Sequence, residues 1–435
     1  MSAITMSRIE RRRLFVAIGF TLSFLASSEA RSEETIALVG GRVLTMTQGI
    51  LEVGTVVVRG ERIVEVTAGT SVPADARTID VSGMIVMPGM IDSFTHLGLV
   101  EVSMVSATSD IVEGIEPAAP QMRVIDALNP NSELIPVART TGVTTVLCAP
   151  GEGNVISGQS ALIDLSGDHV DAMTVKFPVG MHANLGEAAK HPSWKESKPP
   201  QTRMGIAAIL RQTIVDTQNY MRKWEEYEKK GARDEKDPPG RDLRMEAMIP
   251  VLRGEIPLVV RAHRLDDIQT ALRIADEFGI CLILNHATEG YKIADELARR
   301  KIPVLLGPVT TQPSSMERLG AIYENAAILS AAGVKIALQS AESHNVRILP
   351  YHAGLAVAYG LPREEALKAV TIYPAEIFGV ADFLGSLEAG KIANVAVFDG
   401  DPLEPRSRLV HLMIHGREVD LQNRQTELFE RYLAE

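Results

Sequence analysis

Between Ile36 and Gly89 apolar and polar residues alternate in short runs: "IALVGGRVLTM", "GTVVVRGERIVEV" and "RTIDVSGMIVMPG". A period of two marks half-buried strands. Gly40-Gly41, Gly60-Glu61 and Ser82-Gly83 are turn signals between those runs, so the segment reads as an antiparallel sheet. The same alternation returns near the other end in "ANVAVFDGDPL" and "RLVHLMIHGREV". Two β segments at opposite ends of one chain predict a composite β-sandwich built from both.

Between these segments the pattern changes. "GVTTVLCAP", "ICLILNH", "IPVLLGPV" and "VKIALQS" are short apolar runs of strand type. "LDDIQTALRIADEFG", "EGYKIADELARRK" and "ERLGAIYENAAILSAAG" have helical spacing, and the first carries an acidic opening turn and Gly279 as a stop. Strands alternating with helices imply a parallel sheet. About 290 residues of this pattern suit a (β/α)8 TIM barrel, with a doubly wound open sheet as the alternative. No GxGxxG follows a strand, which weighs against a nucleotide-binding form. A long helical pattern from Met204 to Lys230 runs into the charged "RKWEEYEKKGARDEKDPPGRD", a solvated helix end.

The bulk numbers fit this picture. The chain has 435 residues, 46% hydrophobic and 23% charged, with a formal net charge of -11. That is enough for one large core and an accessory domain. Interspersed acidic charge excludes a nucleic-acid surface, which needs a concentrated basic face. The first thirty residues stand apart: Arg8 and Arg11 to Arg13 precede the apolar run Leu14 to Leu25, and a small-residue close ends at Ala30. This is the pattern of a secretory signal, too short for a stable membrane span. "RRLFV" also has twin-arginine character, and the two export routes stand about even. The expected location is periplasmic or extracellular. The two cysteines, Cys148 and Cys281, sit in apolar runs and read as buried free thiols. The expected division is a signal at 1–30, sandwich segments at 31–88 and 385–420, a barrel at 89–384 and a tail at 421–435.

In such a barrel the reactive groups sit at the C-terminal ends of the strands. Of the ten histidines, four fall at strand ends: His96 after "MIVMPGMIDSFTH", His263 after "IPLVVRAH", His286 after "ICLILNH" and His344 past "VKIALQS". Imidazoles converging on one rim suggest a zinc site.

The stretch "VMPGMIDSFTHLGL" resembles the amidohydrolase superfamily of metal-dependent hydrolases, in which a Pro-Gly-x-Ile-Asp segment leads into a His-x-His pair. The resemblance continues through "GVTTVLCAPGEGNVISGQ", "VVRAHRLDDIQTALRIADEFG", "LILNHATEGYKIADELARRKIPVLLGP" and "EEALKAVTIYPAEIFGV" to "GSLEAGKIANVAVFDGDPL". It covers the chain from about Ile36 to about Val419 and is nearest to the imidazolonepropionase-like branch. It implies the barrel, the sandwich, a small-molecule substrate and a site for two cations; dimers are common in the family. Carried over, His96 is the second histidine of the first pair and Phe94 stands where the first should be. His263 and His286 match the ligands ending the fifth and sixth strands, Glu187 is the choice for the bridging ligand, and Lys176 the fallback. The last strand normally ends in Ser-Asp; here Ala341 holds the aspartate's place.

Phe94 and Ala341 both belong to the first cation, and neither side chain can bind a metal or take a proton. The second cation retains Glu187, His263 and His286, a ligand set suited to one catalytic zinc with an open position. The family's aspartate moves the proton from water to the leaving amine, so its loss requires a replacement base, for which Glu342 and His344 are the candidates. Arg203, Arg264 and Tyr291 are candidates for orienting substrate. The expected activity is hydrolysis of carbon–nitrogen bonds, in an amide, a cyclic amide or a dipeptide. The alternative is a catalytically impaired relative that binds a ligand or partner.

Overall fold

The computed structural model describes residues 34–114, 116–190, 200–231, 237–310, 313 and 315–434. The signal segment lies outside them. Among the described residues no helix is long and apolar enough to cross a membrane.

The terminal β segments form one eight-stranded sheet. The N-terminal part supplies Thr35–Leu44, Ile50–Arg59, Arg62–Ala68, Arg77–Asp80 and Ile85–Pro88, and the C-terminal part Val395–Phe398, Leu409–Ile414 and Arg417–Glu418. The two parts join where Ile85–Pro88 pairs antiparallel with Val395–Phe398. Alternation explains why that last strand is apolar throughout. Val395 and Val397 face the sheet's own core, while Ala396 and Phe398 pack into the barrel's core. The Gly60-Glu61 hairpin forms as expected, joining Arg59 to its partner Arg62. Gly40-Gly41 is not a turn: Thr35–Leu44 runs straight through it, with register shifts that mark a bulge. Arg77–Asp80 and Ile85–Pro88 both run parallel to the first strand, so the sheet is mixed rather than antiparallel.

The barrel has eight strand positions. They are Met90–Thr95, Val143–Cys148, Ile156–Gln159 with Ala161–Asp164, Thr174–Lys176 with Met181–Asn184, Leu258–Ala262, Leu282–His286, Val304–Leu306 and Ile336–Leu338. Seven run parallel, and the third is antiparallel to both neighbours. Ala341 N donates to Phe94 O at 3.0 Å, and Ser93 Oγ to Leu338 O at 2.9 Å, closing the eighth strand onto the first. One residue from each position (Ile91, Leu147, Leu162, Val179, Val259, Ile283, Leu305 and Ala337) meets in a buried interior layer, with Phe378, Val380 and Leu384 packed against it. This layer is a packed floor, so only the other end of the barrel is left for chemistry.

The helix Leu265–Phe278 has the expected acidic first turn and ends at Gly279, whose φ of 66° is the left-handed cap. The helix expected over 317–333 is broken into a 3-10 turn, Met316–Arg318, and a helix, Asn325–Ala331. Glu317 in that turn is buried and held by charged partners, which pulls the chain off a helical path. The tail carries a helix, Arg424–Leu433, capped by Asn423. Cys148 is buried and free, whereas Cys281 is free but exposed, because it precedes the strand it was expected to lie within.

The reversed third strand delivers Asp164 to the floor, beside the sheet. There its carboxylate lies 2.8 Å from His415 Nε2 and accepts from Thr145 Oγ1 at 2.5 Å and Asn394 Nδ2 at 3.2 Å. The Asp164 hydrogen bond raises the His415 imidazole above its ordinary value against the opposing effect of burial. A raised histidine stabilises the fold fully below its unfolded value, and that contribution is lost as pH rises through the folded one. His415→Ala is therefore expected to lower the urea midpoint more at pH 5.5 than at pH 8.5. Equal losses at the two pH values would contradict this lock.

Candidate active site

Strand alternation builds the site. Val259 lies in the interior layer, so Arg261 and His263 continue on the same face towards the C-terminal mouth. His286 ends its strand with φ of 70°, followed by Ala287 at 41°. Two consecutive non-glycine residues with positive φ are a strained arrangement that turns the imidazole into the barrel's mouth. His96 ends the first strand, and His182 lies within the fourth.

Three of these four imidazoles surround Phe94. Its ring centroid is 5.2 Å from that of His96, 5.7 Å from His182 and 5.9 Å from His286, while His263 and His286 stack at 4.7 Å. The outward nitrogens are anchored: His96 Nδ1 to Ala149 O at 2.8 Å, His263 Nδ1 to Thr288 Oγ1 at 2.6 Å and His286 Nδ1 to Gly307 O at 2.7 Å. A carbonyl can only accept, so His96 and His286 carry their proton on Nδ1 and present a bare Nε2 lone pair. The Nε2 atoms of His182, His263 and His286 are buried without a hydrogen-bond partner. Burial holds all four imidazoles below their ordinary values, His182 at about 3.

Two groups in the site went unnoticed in the sequence. His182 sits in "MHANLGEAAK", inside the strand, whereas Glu187 lies beyond the strand's end. Glu152 follows the second strand, in "PGEGNVISGQ"; a carboxylate two residues past "CAP" was the available signal. Glu152 Oε1 lies 2.7 Å from Arg261 Nε and 3.6 Å from His286 Nε2. Burial pushes the Glu152 carboxyl up, but the His286 contact and the Arg261 charge outweigh it and hold the group at about 2. Arg261 is itself 3.8 Å from the buried Glu317 carboxylate, which also pairs with Arg203 at 3.2 Å.

Several expected residues are placed elsewhere. Lys176 donates to Phe378 O at 2.7 Å, at the floor, because it begins the fourth strand rather than ending it. Glu187 lies in the turn past that strand, with its backbone N–H donating to Glu317. Among the described residues no group of three or more His, Cys, Asp or Glu is placed to hold a metal ion, and this includes Glu187 with His263 and His286. His344 uses both nitrogens, on Glu101 O at 3.1 Å and Ser343 Oγ at 2.9 Å, tying the first and last strand loops together. Glu342 has its backbone carbonyl held by Thr95 and its side chain exposed at the rim, where its charge acts on His96 and Arg318. Arg264 is taken up by Asp266 at 3.0 Å, and Arg203 by Asp267 and Glu317. Tyr291 donates to Gly320 O at 3.2 Å and so pins the loop after the seventh strand. The pocket beside the histidines, about 160 Å³, is lined instead by His263, His286, Thr288, Arg318, Tyr323 and Asn325, with an apolar wall including Leu306, Val309 and Ile322.

The donor chemistry is of a kind that binds a divalent metal ion. Three partnerless imidazole nitrogens are ligands in type, although not yet gathered to metal-binding spacing. The Phe94 ring fills the space between three of the imidazoles, and Ala341 brings no donor.

The amidohydrolase family model matches residues 259–422. A solved amidohydrolase from Thermotoga maritima MSB8 is 34% identical, covering 88% of this chain and 99% of that one with a TM-score of 0.84. The amidohydrolase tasK of Hapsidospora irregularis is 26% identical over 80% of this chain, which spans only 37% of its length. The imidazolonepropionase of Shouchella clausii is 24% identical, covering 81% of this chain and 80% of its own. The chain belongs to the amidohydrolase family, whose members generally bind divalent metal ions and act on carbon–nitrogen bonds of small molecules.

Arg261 is 5% exposed and compensates two carboxylates. Arg261→Met is expected to cost about 3 kcal/mol of folding stability, because it leaves Glu152 and Glu317 without their shared cation. Chemical denaturation measures the loss; a change under about 0.5 kcal/mol, the level of a neutral surface substitution, would count against that charge assignment.

Proposed function

We propose that this protein is an exported hydrolase of carbon–nitrogen bonds in a small amide, cyclic amide or dipeptide, working with a single divalent ion, zinc. The observation that supports it is the pair of buried, partnerless Nε2 atoms on His263 and His286 beside the pocket. These residues would hold the ion, which when bound supplies an acidic water and polarises a carbonyl. The chain's own groups do the rest. Gly307 O and Thr288 Oγ1 fix the orientation of the His286 and His263 rings. Arg261 keeps Glu152 ionised next to His286, so that carboxylate orients and does not donate a proton at neutral pH. The apolar pocket wall excludes water from one side of the ligand. Glu342, exposed at the rim, is the side chain available for proton transfer. Export rests on the segment ending at Ala30, and cleavage there leaves Arg31 as the first residue of the mature protein.

Phe94 and Ala341 favour a second reading, a ligand-binding relative without turnover. Metal analysis of the purified mature protein separates the two. The hydrolase reading expects about one zinc per chain, lost in His263→Ala. Glu342→Ala should then slow amide hydrolysis by about 10² or more. A chain that takes up no metal sinks the single-ion mechanism and leaves the binding role.

A further inference from the structure

The pocket beside His263 and His286 has a polar end that offers an acceptor. Asn325 opens the helix Asn325–Ala331 and is 6% exposed. Its Nδ2 donates to Ala287 O and Thr288 O, each at 3.1 Å. Both amide hydrogens are thereby spent, and turning the amide over would strip two carbonyls of their donor. The other end of the amide, Oδ1, is buried with no partner in the protein. His286, committed at Nδ1 to Gly307 O, turns its ring to the same pocket. Both side chains line the same pocket, together with Thr288, Arg318 and Tyr323 and an apolar wall that includes Leu306, Val309 and Ile322. A buried acceptor left unpaired costs free energy that a ligand donor restores.

We infer that Asn325 selects the ligand by an N–H donor, and that the pocket takes small amides or ureides carrying at least one N–H beside an apolar body. This rests on the amide-directed reading above and sharpens it. The Asn325 oxygen accepts the ligand's N–H while its nitrogen stays bonded to Ala287 and Thr288. A fully N-alkylated amide has no donor for this oxygen and leaves it unpaired, so it binds more weakly.

Ligand-observed NMR on the full mature chain tests this with two matched pairs: isobutyramide against N,N-dimethylisobutyramide, and dihydrouracil against 1,3-dimethyldihydrouracil. The N–H member of each pair is expected to bind at least about tenfold more tightly, the effect of one hydrogen bond to a buried acceptor. In Asn325→Leu that preference is expected to collapse to within about threefold. Equal affinities within the pairs, or no binding by any of the four probes, overturns the inference. A folded Asn325→Leu that keeps the preference overturns the assignment to Asn325; should that variant fail to fold, the wild-type pairs decide. Hydrolysis is followed separately, as ammonia from isobutyramide and as ring opening of dihydrouracil to its ureido acid. Discrimination without hydrolysis contradicts the hydrolase reading and leaves the role of Asn325 standing.

Discussion

The seam between the first and eighth strands decides what the mouth of this barrel can do. It is held by the buried carboxylate of Asp92, which accepts from Ser340 N at 3.1 Å, from Phe94 N at 3.2 Å and from Ser340 Oγ. Burial pushes the Asp92 carboxyl up to about 7 although Ser340 bonds oppose it. The cost of that burial is offset by closing the ring, and closure brings Phe94 and Ala341 together as backbone partners at 3.0 Å. Two positions 247 residues apart thereby become one locus. An aromatic ring on one strand and a methyl group on the other leave that locus without a metal donor, and the Phe94 ring lies among three imidazoles instead.

Beside that locus, charge is organised around Arg261. Glu152, Arg261, Glu317, Arg203 and Asp267 form a continuous run of ion pairs from the histidines to the helix Leu265–Phe278. Arg261 is a permanent buried cation within it, set between carboxylates from the loops after the second and seventh strands. The same Glu317 that anchors Arg261 carries the next residue, Arg318, into the pocket wall. Pocket shape and site electrostatics are therefore set by one 3-10 turn.

Much of the fold was legible because periodicity is local. The alternating runs, the acidic start and glycine stop of Leu265–Phe278, and the return of β pattern at the far end all survive in the structure. What periodicity cannot convey is direction and partner. The reversed third strand has the same alternation as a parallel one, and the Gly40-Gly41 bulge has the composition of a turn. The site was legible where a histidine closes a strand, as at His263 and His286. It was hidden where the ligand-type residue lies inside a strand, as at His182, or past one, as at Glu152. Arg203, Arg264 and Tyr291 show the limit of rim proximity: each finds an acceptor of its own, and nearness in sequence does not say which.

The central proposal is a single divalent ion at this site, where the family resemblance implies two. A crystal structure of the zinc-loaded protein with anomalous diffraction at the zinc edge tests it most directly. The account predicts a single peak bonded to the Nε2 atoms of His263 and His286, with the Phe94 ring still between His96 and His182. Two peaks, or a single peak on His96 with the Phe94 ring displaced, would contradict it.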